Sequence, residues 1–248
     1  MSIFKLCKSF FSVNWIITLI INFKYLPLNQ ACRLPIFIYR LSNCSGKGKI
    51  LILSNTIVPG MIKLGIKHEP SCMSLQGIHI INNGTIIFNG SGIIGNGSSL
   101  VVNRNSILEF GKNFGITGNL SVHCSSRIII GDNLSCSWNV SISDTDHHQC
   151  INPDTCIQYP ITKPVTIGNN VWCCQHSIIS KGSNIPDWVT IAQMSLTNRI
   201  YEVPYYSILA GIPAKEINKK IKREDIEIIQ KLSPNWFITY GLKIFNQR

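Results

Sequence analysis

The chain has 248 residues, 45% of them hydrophobic and only 14% charged, with 23 Lys and Arg against 12 Asp and Glu for a net charge of +11. That length allows one sizeable domain plus terminal additions. The positive balance comes from scarce acids, and the bases form no dense stripe interleaved with aromatics, which argues against a nucleic-acid partner. Two readings of the charge stay open: a solvated basic surface, or attraction to the phosphates of a cofactor or to an anionic membrane face.

Phe10 to Phe23 (FFSVNWIITLIINF) is the apolar run that raises a membrane question. At about 14 residues, broken by Ser12, Asn14 and Thr18, it falls short of the roughly 20 that a spanning helix needs. The residues after it, Lys24, Tyr25, Leu26 and Pro27, offer no small-residue cleavage site, so a signal peptide is not expected. The run reads as a short helix that packs on the domain or lies at a membrane surface. Pro27 and Pro35 bracket a second short helical piece, and Ser45-Gly46-Lys47-Gly48 reads as a turn before a first strand at Ile50 to Leu53. The ten Cys show neither a C-x-x-C pair nor a metal-ligand spacing, which favours reduced thiols and a cytoplasmic location.

From about Leu75 onward, Gly-Asn turns alternate with short β-branched runs. Phe88, Ile94 and Leu100 fall six residues apart; Phe110, Ile116, Val122 and Ile128 repeat the step after a break, and Ile130, Cys136 and Ile142 after a two-residue slip. Between Pro164 and Ser195 the step runs unbroken through Ile167, Cys173, Ile179, Ile185 and Ile191, with Val171, Ser177, Ser183, Val189 and Ser195 four residues after each. Neither a 3.6-residue helix nor a plain alternating strand demands one large aliphatic every six residues. A chain that turns a corner every six residues does, and three hexapeptides then close one triangular coil of a solenoid whose repeats bury their apolar edges by stacking.

One insertion interrupts the coils between Ile142 and Val165. It opens with Ser143-Asp144-Thr145-Asp146-His147-His148 and contains Pro153, Pro160 and Pro164. Two Asp and two His at the edge of a rigid scaffold suit a functional loop. An Asp/Thr turn with merely exposed histidines fits the same residues. Beyond the coils, Asp225, Ile226, Ile228, Ile229 and Leu232 recur at helical spacing before Pro234, predicting a C-terminal helical tail. The expected division is a helical or extended segment over 1–49, a β-helix over 50–215 with its loop at 143–164, and the tail over 216–248.

The hexapeptides, the Asp-Thr-Asp-x-His turn, the run Pro164-Val165-Thr166-Ile167-Gly168-Asn169-Asn170-Val171-Trp172 and the run Ser207-Ile208-Leu209-Ala210-Gly211-Ile212-Pro213-Ala214-Lys215 together resemble the hexapeptide-repeat acyltransferases. These fold as a left-handed parallel β-helix. Within them the chain is similar to the maltose and galactoside O-acetyltransferase group, especially members linked to polysaccharide synthesis. The likeness covers roughly Ile78 to Lys220, and Tyr25-Leu26-Pro27 and Arg33-Leu34-Pro35 also resemble such glycan-modifying members.

The resemblance implies an all-β fold, a homotrimer, acetyl-CoA as acyl donor in a groove between neighbouring prisms, a sugar or glycan acceptor and no metal. It implies His148 as general base, four residues after Asp144, with Asp146 orienting its ring. Asn119 and Asn139 match acceptor contacts. The cofactor contacts map to Trp172, Cys174, Ala192, Ser195, Ala210, Gly211 and Lys215, the last near the phosphates. Cys174 stands where the family favours Gly, and Trp188 and Met194 occupy turn positions where Gly or Asn accepts a positive φ cheaply. Three other readings are weighed against this one: acyl transfer through Cys150 or Cys174, a zinc hydratase using His123, His148 and His176, and a non-catalytic binding solenoid. Contact with the inner face of a membrane is a further expectation.

Overall fold

The computed structural model describes residues 10–67 and 74–223. The expected β-helix forms as a three-sided prism whose parallel sheets hold nine, seven and six strands, with one antiparallel strand at the C-terminal end. The first face runs from Ile36–Ile38 to Ala214–Lys220, the second from Leu41–Ser45 to Leu196–Thr197, and the third from Lys49–Ile52 to Asn184–Ile185.

The anchors read from the sequence line the interior. Phe88, Ile94, Leu100, Phe110, Ile116, Val122, Ile128, Ile142, Ile167, Cys173, Ile179, Ile185 and Ile191 are all at most 1% exposed, and each such aliphatic contributes roughly 1.5–3 kcal/mol by leaving water. The residues four places on fill the corners. Val171 and Val189 are buried as apolar filler, whereas the buried Ser177 and Ser183 donate to the carbonyls of Cys174 (2.8 Å) and Ser180 (2.7 Å), three residues back in each case. Three hexapeptides per coil holds in the last turns, where Asn169 bonds Asp187 at a separation of 18 residues. Earlier coils are longer, as in the 22-residue step from Phe88 to Phe110. Each of those coils carries extra turn residues between its second and third faces, which is the origin of the slips in the six-residue step.

Left-handed backbone stacks at the corners. Between the third and first faces it is carried by Asn113, Asn133, Asn170, Trp188 and Tyr206, and between the first and second by Gly97, Asn119, Asn139, His176 and Met194. Asn tolerates this region better than most residues. Here it also bonds along the stack, Asn113 to Asn133 (3.3 Å) and Asn133 to Asn170 (2.9 Å). Where Asn runs out, Trp188 and Tyr206 pack ring to ring at 5.5 Å. Gly92 is required by packing, because a Cβ there would strike the Phe114 ring, which stacks with Phe88 and Phe110 in the core.

Two expected boundaries move. The β-helix begins at Ile36, because the short strand Ile36–Ile38 pairs with Ile62–Ile66 and Leu41–Ser45 pairs with Ile78–Asn82. At the other end, Ala214–Lys220 turns back through a cis Ile212-Pro213 bond as a strand antiparallel to Ser207–Gly211. The helical tail therefore does not start at 216, since Ile217 is held across from Ile208 in the sheet. The helical spacing of Asp225 to Leu232 lies outside the described residues. At the N-terminal end the two expected helices form, α1 over Trp15–Tyr25 and α2 over Leu28–Ala31.

Candidate active site

The insertion leaves the prism between the second and third faces, from Ser141–Ser143 to Val165–Ile167. Asp144 roots it. Its fully buried carboxylate accepts from the backbone N–H groups of Ser125 (2.7 Å) and Ser126 (2.8 Å), taking the place of a turn in the coil below. The strands of the loop then run as an irregular hairpin, bridged at Thr145 and Thr162 and again at Ile151 and Gln158. Asn152 closes its tip by accepting from the N–H groups of Asp154 and Thr155. Ile151, Ile157 and Tyr159 stand exposed on this arm.

Asp146 is an ion-pair partner of Lys181 (2.5 Å), and Lys181 also donates to the Pro160 carbonyl. The Lys181 ammonium thus fastens both limbs of the hairpin to the next coil. His147 has a left-handed backbone, its N–H donating to the Thr145 hydroxyl. Its ring meets that of His123, on the second face, edge to face at 5.1 Å. Burial, followed by the neighbouring His147, lowers the pKa of His123 below the usual imidazole value. His148 is exposed.

The expected acceptor and cofactor residues gather at a different edge. Cys174, Ala192 and Ala210–Gly211 sit at successive strand ends of the first face, tied by the Cys174 N–H to Ile191 (2.9 Å) and the Ala192 N–H to Leu209 (2.9 Å). The Ser195 hydroxyl accepts from the Gly211 N–H (3.0 Å), so it holds that strip together. Asn119 and Asn139 occupy the adjoining corner in consecutive coils, and the Asn139 amide lies 3.4 Å from the His176 ring. Trp172 lies two residues before Cys174 on the same face, and Lys215 pairs across from Ala210. Ala192 and Ala210 are half-buried and Gly211 is exposed, so small groups line this edge between Cys174 and the last strand.

The sequence reading missed Arg223. Its guanidinium lies 5.4 Å from the centre of the Trp172 ring and acts electrostatically on Cys174. The signal available was only the Lys222-Arg223 pair ahead of the expected tail. His123 was weighed as a zinc ligand, but the structure turns it towards His147 and His176 towards Asn139. Among the described residues no three His, Cys, Asp or Glu side chains are grouped to hold a metal ion. Burial, with a contribution from Cys173, pushes the Cys174 thiol up to about 11. A thiol held in that form is a poor nucleophile at neutral pH.

No family model matches the chain. It is similar to galactoside O-acetyltransferase of Escherichia coli K12, 32% identical over 123 residues, which span 47% of this chain and 58% of that one. It is also similar to a probable macrolide acetyltransferase of Lysinibacillus sphaericus, 38% identical over 89 residues, 36% of this chain and 47% of the other. The chain thus spans about half the length of the curated relatives it matches. Among solved structures, a polysialic-acid-specific acetyltransferase aligns over 75% of this chain and 77% of its own, with 21% identity and a TM-score of 0.46. The sequence likeness is to acetyltransferases.

Proposed function

We infer that this chain is a hexapeptide-repeat acetyltransferase that moves an acetyl group from acetyl-CoA to a hydroxyl of a sugar or glycan precursor. The observation that carries the reading is the pairing of a histidine-bearing hairpin with an open strip of small residues on one rigid prism. The acetyltransferase likeness supports the same chemistry.

A sugar hydroxyl attacks a thioester poorly at neutral pH unless its proton is removed as the bond forms. His148, exposed on the hairpin, is the proposed base, imidazole being the side chain best suited to proton transfer near neutral pH. As the hydroxyl oxygen bonds to the acetyl carbon, the proton passes to the imidazole. When the C–S bond breaks, the imidazole returns that proton to the departing sulfur, leaving an ester and free CoA. Asp146 contributes through Lys181, fixing the hairpin that carries the ring. Asn119 and Asn139 are the proposed acceptor contacts. Trp172, Cys174, Ala192, Ser195, Ala210 and Gly211 form the proposed bed for acetyl-CoA, with Lys215 and Arg223 available to its phosphates.

The two halves belong to different edges of one chain. The hairpin rises between the second and third faces, and the strip follows the border of the first and second. This supports a homotrimer in which the hairpin of one copy reaches the strip of the next, and the exposed Ile151, Ile157 and Tyr159 give the arm an apolar surface for that contact. A cytoplasmic location, where acetyl-CoA is available, goes with this reading.

The test is thiol release from acetyl-CoA by the purified protein against a panel of glycosides, nucleotide sugars and lipid-linked glycans. Acceptor-dependent release, with an alkali-labile acetyl group on the product, is the expected result. Tight acetyl-CoA binding without turnover on any acceptor would favour a binding solenoid.

A further inference from the structure

Helix α1 closes the prism with the side that carries Thr18, Asn22 and the buried Ile21. Asn14, Thr18 and Asn22, four residues apart, face the edge strand Ile36–Ile38. The Asn22 amide donates to the Ile36 carbonyl (2.7 Å) and its oxygen accepts from the Ile36 N–H (3.1 Å). The Thr18 hydroxyl accepts from the Ile38 N–H (3.0 Å), and the Asn14 N–H donates to the Ile38 carbonyl (2.8 Å). An unpaired strand edge is thereby covered. A second apolar stripe of the helix points outward: Ile16 is 72% exposed, Leu19 46%, Ile20 52% and Phe23 49%, with Phe11 and Leu28 exposed alongside. A stripe at i, i+3, i+4 and i+7 left in water marks a contact surface.

Charge identifies the contact. The first 68 residues contain nine Lys and Arg and no Asp or Glu. Of these bases, Lys24, Arg33, Arg40, Lys47 and Lys49 are exposed in the described part of this end of the prism. A second copy docked here would bring two uncompensated positive ends together, which is repulsive. An anionic lipid surface accepts both the stripe and the charge. Eleven residues of helix span about 16 Å, and no described helix is long and apolar enough to cross a membrane. We propose that α1 lies flat on an anionic phospholipid surface, its apolar stripe among the acyl chains and the flanking bases on the headgroups, so that the prism stands with its N-terminal end on the membrane.

The full chain is mixed with phosphatidylcholine vesicles with and without phosphatidylglycerol, and bound protein is measured by flotation at low and high salt. Binding should require phosphatidylglycerol and fall as salt rises. The triple change Ile16→Gln, Ile20→Gln and Phe23→Gln replaces outward side chains with good helix formers and should weaken binding by at least about tenfold. The charge reversal Lys24→Glu, Arg33→Glu and Lys47→Glu should do the same while leaving the stripe intact. Equal binding to both vesicle types, or none, overturns the proposal. So does a triple Gln variant that binds vesicles normally but changes molar mass in light scattering, which would assign the stripe to a second copy.

Discussion

At the residue scale, the two adjacent histidines have different surroundings. Both are exposed, but the His147 ring lies edge to face against His123, whereas His148 has no such contact among the described residues. His148→Ala should therefore cost roughly 10²- to 10⁴-fold in acetyl transfer with acetyl-CoA affinity unchanged, because the proposed cofactor strip lies at another edge. His147→Ala should cost less than about tenfold, the loss of a packing contact and not of the base. Turnover and acetyl-CoA titration on both variants check this, and an equal loss in the two would move the role to the His123–His147 pair. The sequence placed both histidines on the loop, but their orientation was not legible. It depends on the left-handed backbone of His147 and on His123, 24 residues earlier. Met194 gives a second residue-scale test. It is 61% exposed with a φ of +56°, above Asn119, Asn139 and His176 at the same corner. A non-Gly side chain in this region costs on the order of 1 kcal/mol, and Asn bears it more easily. Met194→Asn should raise stability by about 0.5–1 kcal/mol, read from the urea midpoint with an unchanged slope. This corner was visible in the sequence as a place where the Gly and Asn pattern lapses.

At the element scale, the interruptions in an apolar run proved more informative than the run itself. Asn14 and Thr18 break the hydropathy of Phe10 to Phe23, and those residues, with Asn22, hold the edge strand. Asn22→Ala would remove both bonds to Ile36 and leave its buried N–H and carbonyl without those partners. Unsatisfied groups of this kind cost about 1–3 kcal/mol each, so a loss of at least about 2 kcal/mol in urea unfolding is expected, whereas Ile20→Ala on the outer side should cost under about 0.5 kcal/mol. The strands that escaped the sequence reading did so for related reasons. Ile36–Ile38 is a three-residue strand between Pro35 and the Tyr39-Arg40 bend, too short for a period to show. Ala214–Lys220 has a burial pattern that is exposed after its first residue. It is held by backbone pairing with Ser207–Gly211, which leaves little trace in side-chain pattern. The hexapeptide strands were legible because each inward position must be filled by one aliphatic.

At the scale of the whole molecule, the separation of hairpin and strip by the width of one face makes a mixing experiment decisive. If the site forms between copies, each active site draws His148 from one chain and the strip from its neighbour. His148→Ala should then be inactive alone. So should Ala192→Trp, which places a large ring on the open edge between Cys174 and Ala210 without touching the hairpin. Unfolding and refolding the two together gives random trimers. A working site needs a hairpin from the strip variant beside a strip from the hairpin variant, and about one quarter of interfaces meet that condition in an equimolar mixture. Activity should rise from near zero to about a quarter of the unmodified level, while light scattering reports a trimer for all three samples. Recovery would exclude a site built within one chain, since no subunit in the mixture carries both intact halves. A mixture as inactive as its components, in samples shown to be trimeric and exchanged, would place hairpin and strip in the same chain and remove the argument that the second face separates them.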